Sequence, residues 1–175
     1  ALDAFSGVVV EGKRCLDAGA STGGFTDVLL RRGAEKVVAV DVGYGQLAWE
    51  LRQDPRVKIL DRTNIRHLTG DMVGEEIDLV VADLSFISLS LVLPALAAVS
   101  KPNADFVLMV KPQFEVGKDN IAKGGIVKNK ALYPEVIQQI IKSAEANNLS
   151  YETHISSPIL GGDGNEEFLM LLKKK

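Results

Sequence analysis

The stretch Leu16–Asp27, LDAGASTGGFTD, decides how this chain is read. It joins an apolar run, KRCLDAG (13–19), to a helical pattern, GFTDVLLRRGA (24–34), through a loop holding Gly19, Ser21, Thr22, Gly23 and Gly24. Gly33 is placed to act as the helix C-cap. Strand, glycine loop and helix in that order form the first unit of an alternating α/β chain.

The alternation continues outward from there. KVVAVDVG (36–43), VKILDR (57–62), IDLVVADLS (77–85) and DFVLMVKP (105–112) are nearly continuous apolar runs, as parallel strands buried on both faces require. Helical stretches lie between them: GQLAWELRQ (45–53), a weaker NIRHLTGDMV (64–73) and LSLVLPALAAV (89–99). ALYPEVIQQIIKSAEANNL (131–149) is amphipathic at helical spacing, and ALDAF at the start also reads as helix. YETHISSPI (151–159) and EEFLMLLKKK (166–175), joined by GGDGN, close the series as an antiparallel hairpin. The expectation is one α/β domain over 1–175. Its sheet is mostly parallel and seven-stranded, with a C-terminal antiparallel hairpin and helices on both faces.

Composition is that of a globular domain, 46% hydrophobic and 25% charged over 175 residues. Leu89–Val99 is too short, and too interrupted by Ser90 and Pro94, for a bilayer span of about 20 residues. No signal-type N-terminus is present, and the start at Ala1 suggests a piece of something longer. A lone Cys15 inside an apolar run reads as a core thiol and fits a reducing cytoplasm. A net charge of −3 argues against a surface that binds nucleic acid everywhere, while leaving room for a local basic patch. His67 and His154 are isolated, so no metal site is expected.

In open α/β sheets a ligand lies beyond the carboxyl ends of the strands. The residues there are Asp17, Asp41, Asp61, Asp83 and Lys111, none of which a buried sheet needs for stability. A dinucleotide fingerprint wants a second glycine two residues after Gly19, where this chain has Ser21. No Gly-Lys-Ser/Thr follows, which excludes a P-loop. An acid just ahead of the loop, Asp17, repels phosphate but suits a cationic amino group. Asp41 can accept both ribose hydroxyls of a nucleoside, a feature that NAD would share, and it could instead be a helix N-cap. Asp17 could instead be a turn former. Sign and spacing together favour S-adenosylmethionine over NAD. The third strand end, Asp61-Arg62-Thr63-Asn64, is where adenine would be gripped or, alternatively, a simple capping loop.

Asp83 ends the fourth strand beside the methyl donor, Lys111 ends its neighbour and faces the same crevice, and Glu167 begins the strand that inserts next to the fifth. A lysine between two carboxylates is costly to bury unless all are paired.

LDAGASTGGFTD, VVADLSFISL, LMVKPQFEVG and GNEEF together resemble the hemolysin-type (TlyA) ribosomal RNA 2′-O-methyltransferases, relatives of the FtsJ group. The resemblance covers essentially the whole chain. It implies a Rossmann-like S-adenosylmethionine-dependent methyltransferase fold and transfer of a methyl group to a ribose 2′-hydroxyl, on cytidine in ribosomal RNA or ribosomal subunits. The family's Lys-Asp-Lys-Glu tetrad maps its Asp to Asp83, its second Lys to Lys111 and its Glu to Glu167, with Glu166 the poorer match. Its first lysine and its N-terminal RNA-binding domain lie ahead of Ala1; Lys13 does not match. An amine flanked by acids with no neighbouring cation holds its proton, which implies poor turnover by this stretch alone. The implied cofactor-binding residues are Asp17, Gly19, Ser21, Thr22, Gly23, Gly24, Phe25, Asp41, Val42, Asn64 and Asp83.

RNA contact is expected from the lysine- and glycine-rich segment 118–130, read as a flap. Arg31 and Arg32 belong to the last turn of their helix. Phe114 and Tyr44 are candidates for stacking on a base or on adenine. The alternatives are a nicotinamide dehydrogenase, disfavoured by Ser21 and by the lack of a hydride-site histidine, and a catalytically silent cofactor- or RNA-binding module. A membrane-active hemolysin is disfavoured because no amphipathic helix has a basic face.

Overall fold

The computed structural model describes residues 1–175. Seven strands form one sheet: β1 (Arg14–Ala18), β2 (Lys36–Val40), β3 (Val57–Leu60), β4 (Ile77–Ala82), β5 (Ser100–Val110), β6 (Leu149–Ser156) and β7 (Phe168–Lys174). Their order is β3-β2-β1-β4-β5-β7-β6. The first five are parallel, and β7 runs antiparallel between β5 and β6, pairing Val110 with Phe168 and Leu149 with Lys174. The strand order reverses between β1 and β4, which puts the ligand crevice at their carboxyl ends.

Successive side chains of a strand point to opposite faces, and both faces are covered. Leu16, Val38, Val80 and Phe106 lie in a core with α4 (Leu89–Ala98) and α5 (Tyr133–Ala146). Cys15, Val37, Val81 and Val107 pack instead against α1 (Gly24–Arg31) and the N-terminal Leu2, Phe5, Val8 and Val10. Alternation thus turns Asp17 to the α1 face. Gly33 (φ 88°) closes α1: its N–H donates to Leu30 and that of Ala34 to Leu29. Arg31 pairs with Asp27 and Arg32 with Asp3 at this helix end.

Three expected helices are smaller than their patterns. ALDAF makes a single turn, Ala4 and Phe5 N–H both donating to the Ala1 carbonyl, because Leu2 and Phe5 are drawn onto the sheet. GQLAWELRQ shrinks to α2 (Trp49–Arg52), since Leu47 turns inward against Ala20 and Ala39 and leaves Ala48 extended. NIRHLTGDMV splits into a 3₁₀ turn at Ile65–His67 capped by Asn64, then α3 (Gly70–Val73) capped by Thr69. The flap 118–130 is a small hairpin in which Ile121 bridges Val127.

Candidate active site

The loop after β1 is shaped by backbone bonds to β2. Gly19 and Ala20 N–H both donate to the Val40 carbonyl, and Ser21 N–H donates to Asp41 Oδ2 at 2.7 Å. Asp41 Oδ1 accepts from Gly43 N–H at 2.8 Å. Asp41 therefore fixes the loop rather than capping a helix, and a carboxylate with two acceptor bonds made retains lone pairs for a ligand diol. Gly19 (φ 81°) is needed here because a Cβ would collide with the Asp83 carbonyl. Ser21 carries a left-handed φ of 51° without being glycine, a local strain held by the Asp41 bond.

Asp17 is 1% exposed. Its Oδ2 accepts from Thr26 Oγ1 at 2.7 Å, while Oδ1 is buried without a partner. Burial pushes its carboxyl up to about 6, against which the Thr26 bond works. An unpartnered buried carboxylate oxygen at a cavity wall calls for a donor, best a cation.

Two cavities meet at this loop. One, about 600 Å³, is walled by Asp41, Val42, Thr63, Asn64, Ile65 and Leu84 among others. The second, about 440 Å³, is walled by Asp17, Thr22, Gly24, Phe25 and Val28 among others. Gly19, Ser21 and Asp83 border both, so the two form one crevice with an acid at one end and an apolar slot at the other. Asn64 lines the slot and also caps its turn through Arg66 N–H. Gly23, Asp61, Lys111 and Glu167 do not line the crevice. Gly23 caps α1 with φ 106° and packs against Leu47 and Leu51. Asp61 accepts from Gly45 N–H and faces Arg52.

At the Asp83 end, Lys111 Nζ lies 2.5 Å from Asp83 Oδ1 as a charge contact and donates to Ser85 Oγ at 3.1 Å. Glu167 does not complete a carboxylate–lysine–carboxylate set. It is 8% exposed, and its Oε2 accepts from Gln113 Nε2 at 2.9 Å. The lysine between two acids is thus a lysine with one, because the 3₁₀ turn Pro112–Phe114 carries Gln113 to Glu167. Glu166 pairs with Lys130 at the surface.

Sequence reasoning passed over four neighbours of these groups. Thr26, Ser85 and Gln113 act through hydrogen bonds that no local pattern announces. Phe86 does carry a signal, an aromatic between Ser85 and Ile87 just past a buried strand. It is 89% exposed at φ 64°, with its ring 5.0 Å from that of Phe114. Tyr44 lies under the Arg62 guanidinium at 4.4 Å. Glu115 ties the two site loops together, accepting from Ser88 Oγ and Leu89 N–H; burial pushes its carboxyl above the usual range.

The profile of the FtsJ-like methyltransferases matches residues 1–174. The chain is 53% identical over 173 residues to the 16S/23S rRNA (cytidine-2′-O)-methyltransferase TlyA of Mycobacterium tuberculosis, covering 99% of this chain and 64% of that protein. It is 45% identical over 166 residues to YqxC of Bacillus subtilis, described as a candidate rRNA methyltransferase, covering 94% of this chain and 59% of the relative. A solved structure described as a candidate hemolysin from Streptococcus thermophilus superposes with a TM-score of 0.95 at 43% identity, over 99% of this chain and 63% of that one. This chain thus spans under two thirds of the length of each of these relatives. With its strand order, glycine loop and strand-end acids, it belongs to the FtsJ-like methyltransferase family.

Proposed function

We propose that this domain binds S-adenosylmethionine and directs its methyl group to a ribose 2′-hydroxyl of ribosomal RNA, with cytidine as the target nucleoside and the cytoplasm as its compartment. The observation that carries this reading is Asp83, which borders both halves of the crevice and pairs with Lys111 beside it. The names of the two rRNA methyltransferase relatives support the substrate.

The residues fit the cofactor group by group. Asp17 Oδ1 would meet the ammonium, the free lone pairs of Asp41 the ribose diol, and the slot at Val42, Asn64 and Ile65 the adenine. Gly19, Ser21, Thr22, Gly24 and Phe25 would border the amino-acid end, with Gly23 acting through the loop's shape. The bound cofactor would supply an electrophilic methyl on a sulfonium. Lys111 meets Asp83 by charge and donates to Ser85, and a further N–H of its amine would orient the 2′-oxygen in line. The hydroxyl proton would pass to the Asp83 carboxylate, whose Oδ1 accepts no hydrogen bond within the protein. Glu167 serves from its position beside Gln113, and exposed Phe86, packed on half-buried Phe114, offers a stacking face for the nucleobase.

The test is calorimetric titration with S-adenosylmethionine, with Asp41→Ala as control and NADH as rival, followed by single-turnover methylation of ribosomal RNA. Cofactor binding lost in the variant, with methyl appearing on a 2′-oxygen, supports the reading. Preferential NADH binding overturns it. Cofactor binding with no transfer leaves a silent binding module. No helix is long and apolar enough to cross a membrane.

A further inference from the structure

The arm at 117–130 and the loop carrying Glu167 are fastened together by one side chain. Asn165 is 2% exposed; its Oδ1 accepts from Val127 N–H at 3.0 Å and its Nδ2 donates to the Gly125 carbonyl at 2.8 Å. Both amide groups are thus satisfied by arm backbone, which fixes the amide's orientation. The arm has little else to hold its tip. Val127 is its buried apolar anchor, Gly124 and Gly125 turn at φ 88° and 83°, and Lys130 pairs with Glu166 at the exposed edge.

The other side of Asn165 leads to the site. Its carbonyl accepts from Gly161 N–H, and Gly161 lies so close to the Glu167 carboxylate that a Cβ there would press on Oε2. Glu167, two residues on, anchors its own carbonyl on Ser157 N–H and its carboxylate on Gln113. A displacement of the arm tip therefore has a short, hydrogen-bonded route to the Glu167 carboxylate. The arm exposes Lys118, Lys123 and Lys128, which suits a polyanion.

We propose that Asn165 is a positioning residue that couples the lysine-bearing arm to Glu167, so that RNA phosphates engaged on the arm set the carboxylate at the methyl-transfer site. This rests on the RNA methyltransferase reading above. Phosphate contact on the arm and carboxylate placement become one event rather than two, and the device makes the site respond to whether the strand is seated.

The chain is small enough for residue-resolved NMR, with a short oligocytidine as the probe. In the unaltered protein the amides of Lys123, Gly125 and Val127 and that of Glu167 shift together, with one midpoint. In Asn165→Ala the arm amides still shift, while the Glu167 response falls by about five-fold or more. Asn165→Asp keeps the acceptor for Val127 but sets an oxygen against the Gly125 carbonyl, and gives the same uncoupling if the alanine variant fails to fold. Exchange of the Val127 amide quickens by about ten-fold or more in either variant, reporting release of the latch itself. A Glu167 response that survives in both variants overturns the proposal. So does an unaltered protein whose arm fails to shift, or shifts without Glu167. Titration of the same sample with S-adenosylmethionine, read at Ser21 and Asp41, reports the cofactor reading separately.

Discussion

Thr26 and Asp17 form a buried pair in which the hydroxyl satisfies one carboxylate oxygen and leaves the other bare. The bare oxygen costs the ligand-free protein stability, and that cost has a pH signature. The folded-state value, about 6 against an ordinary 3.8, means the native state binds more protons between those limits. Stability therefore falls as pH rises from 3.8 to 6, by about 3 kcal/mol from this group. Asp17→Asn is expected to stabilise the ligand-free chain at pH 7, by up to that amount, in urea melts. The same variant loses about 10- to 100-fold in S-adenosylmethionine affinity, since it gives up a charge-assisted bond.

Proton linkage supplies a second check on the same carboxylate. A cation brought to Oδ1 favours ionised Asp17, so cofactor binding near pH 6 releases a proton. Titrations in buffers of different ionisation enthalpy will measure that release, and Asp17→Asn will abolish it.

Gly19→Ala places a Cβ against the Asp83 carbonyl at a backbone φ of 81°. The expected cost is about 1–3 kcal/mol of stability, together with loss of cofactor binding. Gly70→Ala, outside the crevice and with open space where its Cβ would go, serves as the control and keeps both.

Ser85→Ala removes one of the two groups that anchor Lys111. Single-turnover transfer should slow about ten-fold with cofactor affinity unchanged, whereas Lys111→Met should abolish transfer. A matching loss of cofactor affinity in Ser85→Ala would place the hydroxyl on the cofactor instead.

Phe86→Ala is expected to weaken oligonucleotide binding by about 1–3 kcal/mol. Phe86→Gly does the same and additionally relieves the left-handed backbone at φ 64°, raising the thermal midpoint.

The sheet and the strand-end acids were legible because each reports on a short stretch. Buried parallel strands leave continuous apolar runs, and their carboxyl ends share one edge, so the sequence alone groups Asp17, Asp41, Asp83 and Lys111. Asp61 sits on the same edge and still turns away, because Arg52 and the Gly45 amide claim it. Glu167 was placed beside the right strand, but its partner Gln113 lies 54 residues away, and no periodicity encodes such a bond. The helices fell short of their patterns wherever tertiary packing outbid propensity, as Leu47 does in leaving α2 a single turn.

The antiparallel β7 is the last strand along the chain yet an interior one in the sheet, with β6 beyond it. Synthesis therefore delivers β6 before its only neighbour exists, and that outer strand waits unpaired on the ribosome. Closure comes when β7 slides between β5 and β6, and Lys174 Nζ then bonds the Ala97 and Ser100 carbonyls where α4 gives way to β5. Glu167 lies one residue ahead of that same strand, its carboxylate on Gln113. In a nascent chain the sheet therefore stays open, and Glu167 lacks its place beside Gln113, until β7 has been made, a timing written into topology.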